Sequence, residues 1–307
     1  IFDANNKTVF FEKYRFISKI LLLFLFFTLY YFNKINVTSA LIIFVISNFI
    51  LAIITLLNSR NFIKYNFIIP IYETGKKILK FNSPLIIFSS FSLLFIQIEI
   101  TSLNYFYGSE EFSFFSLSVM IGSLIFIFTA SLLPLIIKKF VENFNNNDYK
   151  SISDSFSVDV LGFFYLVTFL SIFVVIHSSE FILVVAGEKY MDGLYVFMIY
   201  SLFPIHQTLG QVSSAFFLST ERQNEYSKIN IKFIFIGFLL SIFLILPNKY
   251  GGLELGSVGL AIKMVLIQFI QVYYLMYVIY KTLKLAFLKL LLNHLKITVL
   301  CVLIIFL

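Results

Sequence analysis

Residues 83–137 read SPLIIFSSFSLLFIQIEITSLNYFYGSEEFSFFSLSVMIGSLIFIFTASLLPLII. Two continuous apolar runs, at about 83–105 and 112–137, flank a short turn, FYGSEE, at 106–111. The hydrocarbon core of a bilayer takes about 20 mostly apolar residues per helix, so each run is long enough to cross it. Neither run alternates apolar and polar residues as a barrel strand does. A helix also satisfies its own backbone hydrogen bonds in lipid. The stretch therefore reads as two transmembrane helices joined by a tight turn.

The same reading extends in both directions. Further apolar runs lie at about 16–32, 37–57, 158–177, 194–219, 231–247, 256–280 and 296–307. The run at 16–32, with Lys19 ahead of it, has the outline of a signal peptide. A second apolar run follows after only Asn33–Asn36 with no small-residue cleavage site, which argues against that. The fold class expected is all-α, a polytopic transmembrane helix bundle of about nine spans. Composition agrees: 60% of the 307 residues are hydrophobic and 13% charged. Soluble domains carry roughly a quarter charged residues. Mean hydropathy is +0.94. Beginning at Ile1 and stopping within an apolar run at Leu307, the sequence reads as part of a longer chain.

Basic residues orient the spans, because short cytoplasmic loops collect Lys and Arg. Nineteen of them fall in one alternate set of segments: Lys7 to Lys19, Arg60 to Lys80, Lys138 to Lys150, Arg222 to Lys232 and Lys281 to Lys296. The other set holds three, Lys34, Lys189 and Lys249. The richer side reads as cytoplasmic. Two basic connections, Ile68–Lys80 (IIPIYETGKKILK) and Lys284–Lys296 (KLAFLKLLLNHLK), read as amphipathic helices lying on that face against membrane lipids. Specific capture of anionic lipid heads is the sharper alternative to generic anchoring.

Several function classes are disfavoured. The net charge of +7 is spread over loops without the dense basic face that nucleic-acid binding requires. There is no GxxxxGK[ST] stretch for a nucleotide. Cys301 is the single cysteine, and His177, His206 and His294 are far apart in sequence, so neither a metal site nor a cofactor is expected. Outer loops are short and lack Arg, which argues for transport over a polysaccharide polymerase or ligase.

Three stretches together carry a family likeness. Phe81–Lys139 has a Pro-containing helix, a short turn with Gly and acid, and a helix ending in Pro and Lys. Ser179–Tyr190 (SEFILVVAGEKY) and Leu246–Ala261 (LPNKYGGLELGSVGLA) follow at characteristic distances. Over about residues 80–280 the chain resembles the bacterial O-antigen and polysaccharide flippases of the multidrug/oligosaccharidyl-lipid/polysaccharide exporter superfamily. The resemblance implies two six-helix lobes. Residues 1–57 would be the last two helices of a first lobe, and 58–82 a cytoplasmic inter-lobe connection. Residues 83–280 would form a second six-helix lobe, and 281–307 an amphipathic segment and the start of an extra helix. It implies flipping of a lipid-linked oligosaccharide, such as an undecaprenyl-pyrophosphate O-antigen repeat unit, in the bacterial inner membrane. A coupling proton or sodium ion and other polysaccharide-assembly membrane proteins are the implied partners. A multidrug/cation antiporter of the same superfamily is the alternative transporter.

Polar groups within spans are the candidate transport residues, because ionisable side chains there are costly. Glu99 and Lys263 lie at similar estimated depths, roughly 6–9 Å below the outer interface. On the functional reading Lys263 attracts pyrophosphate or acidic sugar and Glu99 binds the coupling ion. On the structural reading they snorkel or pair within one lobe. In the sixth span, Gln207, Gln211 and Ser214 share a helix face, next to His206 and the helix-kinking Pro204. Amides facing a sugar path fit as both donors and acceptors; interhelical hydrogen bonding fits equally. Gln268 and Gln271 read as structural.

Overall fold

The computed structural model describes residues 8–32, 34, 36–59 and 71–306. Among them every regular element is a helix: α1 Thr8–Tyr31, α2 Val37–Ser59, α3 Ile71–Asn145, α4 Tyr149–Ile176, α5 Ser178–Val185, α6 Leu194–Tyr200, α7 Phe203–Ser219, α8 Gln223–Ile245, α9 Gly256–Thr282 and α10 Phe287–Phe306. Five helical stretches are long and apolar enough to cross a membrane: Tyr72–Phe126, Tyr149–Ile176, Gln223–Ile245, Gly256–Thr282 and Phe287–Ile305. Shorter apolar stretches occupy Phe16–Tyr31 and Thr38–Ile54. The chain forms two compact units, Ile1–Thr74 and Gly75–Leu307.

In the first unit, α1 and α2 pack against each other. Asn36 and Ser39 cap α2 reciprocally. The Asn36 carboxamide accepts from the Ser39 N–H at 2.7 Å and the Ser39 hydroxyl accepts from the Asn36 N–H at 3.0 Å. Such caps satisfy amides that the first turn leaves without partners. Lys7, Arg60 and Lys64 of the basic set lie outside the described residues, as does the start of the connection at 68–70.

The helix α3, which lies in the second unit from Gly75 on, is two arms, 71–107 and 109–145, meeting at Gly108 with φ 83° and ψ 178°, a backbone that glycine alone adopts without strain. The first arm runs alongside α8: Phe88 meets Tyr226, Phe95 meets Phe235 and Phe238, and the Tyr107 hydroxyl donates to the Ile245 carbonyl. The second arm runs alongside α6 and α7: Phe115 meets Tyr200, Phe126 meets Phe203 and Phe140 meets Phe216. Since α7 lies parallel to α9 and α8 antiparallel to it, the two arms run in opposite directions. Glu111, just past the turn, accepts from both the N–H and the hydroxyl of Ser257 at the start of α9. A carboxylate there complements the helix dipole.

The connections α3–α4, α7–α8 and α9–α10 share one end of the unit. There the Arg222 guanidinium donates to the Thr282 hydroxyl at 2.8 Å, and Phe140, Phe156, Phe216 and Tyr280 form an aromatic cluster. The basic residues Lys138, Lys139, Lys150, Arg222 and Lys281 lie at or beside these connections. Asp148 caps α4, and its hydrogen bonds from Ser151 hold its carboxyl below the ordinary value.

Three boundaries differ from expectation. Residues 71–80 are not a separate surface helix; they continue into the first arm of α3. Likewise no break occurs near Lys296, and Phe287–Phe306 is one helix. Its Leu290, His294 and Cys301 are spaced as one helical stripe and are buried, with the helix packed against α4. Exposed Lys289 and Lys296 leave that stripe undisturbed. The span expected at 194–219 is interrupted at Ser201–Leu202, just ahead of Pro204, which occupies the first turn of α7, where its missing N–H costs nothing.

Candidate functional site

The first arm of α3, with α7, α8, α9 and Leu133 of the second arm, lines a half-open cavity of about 440 Å³ in the second unit. Helical spacing decides who lines it. On the α3 arm, Phe88, Ser92, Phe95 and Glu99 recur every three or four residues on one face; on α7 so do Gln207, Gln211 and Ser214. On α9 the face is Lys263, Ile267, Gln271 and Leu275. On α8, Asn230 and Gly237 contribute.

Glu99 and Lys263, 164 positions apart, form an ion pair. Lys263 Nζ donates to Glu99 Oε2 at 2.8 Å and lies 2.7 Å from Oε1. The Glu99 side chain is 2% exposed and that of Lys263 12%. Gly237 makes room for the lysine stem: a Cβ there would sit 3.1 Å from Lys263 Cε. In a low-dielectric site the attraction is strong, but each charge has given up its hydration, so stability depends on the pair remaining intact.

Amides fill the middle of the cavity. Gln268 Nε2 donates to Gln207 Oε1 at 2.6 Å, tying α9 to α7. Gln271 donates to Asn230 Oδ1, and Asn230 Nδ2 donates to the Tyr226 carbonyl at 2.6 Å, tying α9 to α8. Gln211 differs, because its buried Oε1 has no hydrogen-bond partner. A buried amide oxygen without a donor is costly and marks where a ligand hydroxyl or ammonium group could bind.

Five of the residues singled out from the sequence, Glu99, Lys263, Gln207, Gln211 and Ser214, thus meet around one cavity. His206 does not join them. One residue of helix turns its ring about 100° away from Gln207, and it packs edge-on against Phe269 and beside Tyr273 at 4.9 and 6.0 Å. There it adjoins a second polar cluster, in which the Tyr273 hydroxyl lies 2.8 Å from His294 Nδ1 and the His294 ring stacks on Phe164 at 3.8 Å. Asn230 and His294 were missed because each lies in a stretch whose lysines dominate its reading. Among the described residues no group of three His, Cys, Asp or Glu side chains is arranged to hold a metal.

No family model matches this chain, and no curated protein or solved structure compared with it does.

Proposed function

We propose that this chain is part of a flippase that moves a lipid-linked oligosaccharide, such as an undecaprenyl-pyrophosphate O-antigen repeat unit, across a bacterial inner membrane by alternating access. The observation that carries the reading is the cavity just described. A paired carboxylate and ammonium and a row of amides are held among helices apolar enough to span a bilayer. Amides match sugar hydroxyls as donors and acceptors, and an ammonium matches phosphate.

On this reading the chain crosses the membrane nine times. Gly108 divides α3 into two crossings, α6 and α7 make one interrupted crossing, and α1, α2, α4, α8, α9 and α10 make the rest. The basic ends of the second unit face the cytoplasm. Residues 1–57 end one lobe, 83–280 form the next, and α10 is an added helix that packs on it.

The ion pair is the resting state of the site. A proton or sodium ion on Glu99 frees Lys263, whose ammonium then holds the anionic head; loss of the ion restores the pair. A ligand shifts a conformational equilibrium only by its differential affinity for the two states, and exchange of partners at Lys263 supplies that difference. The cavity charge favours this cargo over the organic cation of a multidrug antiporter. Among the described lining residues the one carboxylate is paired with the one ammonium, leaving no surplus negative charge there.

Deleting the gene and measuring lipid-linked repeat units tests the proposal. Units should accumulate on the cytoplasmic leaflet, and the restored gene should clear them. Normal surface polysaccharide in the deletion strain would overturn the proposal.

A further inference from the structure

The second arm of α3 and α4 leave a groove of about 490 Å³ between them on the surface of the second unit. Small-molecule sites run from about 300 to 1,000 Å³. Lys139 of α3 and Asp159 of α4 pair at its mouth, Nζ to Oδ2 at 2.8 Å. The arm of α3 runs towards the α3–α4 connection and α4 runs away from it. Residues before Lys139 and after Asp159 therefore lie farther from that connection. One helical turn deeper stand Leu135 on α3 and Phe163 on α4, with Leu166 beyond them. Lys139 follows the apolar run that ends at 137, and Asp159 stands at the start of the run from 158. The pair thus marks the level where hydrocarbon gives way to head groups.

The groove is open because Gly162 forms part of its wall. A Cβ there would meet nothing within 4 Å, although glycine weakens a helix interior. The ion pair does little for the fold. Its side chains are 49% and 39% exposed, and pairs so open to water stabilise little. Fully buried Phe140 and Phe156, stacked at 5.3 Å, already hold α3 to α4 at this end. Two hollows along the first arm of α3, around Leu85 and around Gln97, have no charged residue among their described lining. This groove instead sets one positive and one negative group above an apolar slot.

We propose that the groove seats one phospholipid whose head joins a phosphate to a primary ammonium, as in phosphatidylethanolamine. The phosphate takes Lys139 and the ammonium takes Asp159, so each side chain exchanges one charged partner for another of the same sign. An acyl chain lies along Leu135, Phe163 and Leu166 in the space that Gly162 leaves. An anionic lipid would satisfy Lys139 but set its phosphate beside the Asp159 carboxylate. A quaternary ammonium head offers that carboxylate no N–H to accept. Charge and donors together select the ethanolamine head, whatever the protein transports.

Lipid competition tests this. The purified gene product would be offered equimolar phosphatidylethanolamine, phosphatidylcholine and phosphatidylglycerol in detergent, and bound lipid read by native mass spectrometry. The parent should retain the ethanolamine lipid about threefold to fivefold over each of the others, the scale of one half-exposed charge pair. Asp159→Asn should turn the preference towards the glycerol lipid, because Lys139 is left for an anionic head. Lys138→Met, one residue away but outside the groove, should keep the parent's preference. Gly162→Leu should lose it while surviving heat as well as the parent, since its side chain fills open space. Equal retention of the three lipids by the parent would overturn the inference. So would an unchanged preference in Asp159→Asn, which would leave the pair a tie between helices only.

Discussion

Removing one partner of the Glu99–Lys263 pair should damage the protein more than removing both. The two charges lie 2.7–2.8 Å apart, with side chains 2% and 12% exposed, so solvent screens them little. Stranding one member of a buried pair costs about 3–5 kcal/mol, whereas replacing both with neutral groups of similar volume is often neutral or stabilising. The structure also ranks the singles. Lys263→Met strands the more deeply buried Glu99 and should fall near 5 kcal/mol. Glu99→Gln strands an ammonium whose flexible stem can carry it into the cavity and should fall near 3 kcal/mol. Glu99→Gln with Lys263→Met should return to within about 1 kcal/mol of the parent. Thermal survival of detergent-solubilised protein, read by size-exclusion fluorescence for all four proteins, measures the cycle. Additive losses in the double variant would refute the pairing argument. The double variant should still fail to export, since the proposed exchange of partners has been removed.

Gln207→Leu should lower stability by about 1 kcal/mol, the scale of an interhelical hydrogen bond in a membrane, because it strands Gln268. Gln211→Leu should not lower thermal survival while reducing export, since its buried carbonyl has no protein partner to lose. Glu111→Ala should cost about 2 kcal/mol in the same survival assay by removing the charged acceptor at Ser257; survival equal to the parent would refute the capping role. Cysteines at Ser109 or Ser179 should label from outside intact cells, and cysteines at Asn146 or Asn224 should not. Outside labelling of Asn146 would reverse the orientation.

Much of this was legible because lipid imposes a one-dimensional code. The turn FYGSEE stood out between two apolar runs, and Gly108 within it supplies the positive φ that folds α3 back. Equal depth brought Glu99 and Lys263 into comparison, but depth says nothing of direction. That they face each other depends on how α3 and α9 are rotated, which packing decides. Direction also separated His206 from Gln207, since neighbours on a helix point about 100° apart. The α10 region was misread for a different reason. Its lysines suggested a surface helix, yet long lysine stems can leave a helix flank for water while Leu290 and His294 pack inward. Hydrogen bonds such as Gln271 to Asn230 join positions 41 apart, and no local pattern announces them.

The central claim is movement of a lipid-linked oligosaccharide between leaflets, and vesicles test it most directly. The gene product would be reconstituted with a fluorescently labelled undecaprenyl-pyrophosphate oligosaccharide in both leaflets, and an impermeant quencher added outside under a proton or sodium gradient. The account predicts that the protected inner-leaflet signal falls with time in vesicles containing the protein. It should persist in empty vesicles and in those containing the Glu99→Gln, Lys263→Met double variant. Protection that persists in protein-containing vesicles under both gradients would contradict the account.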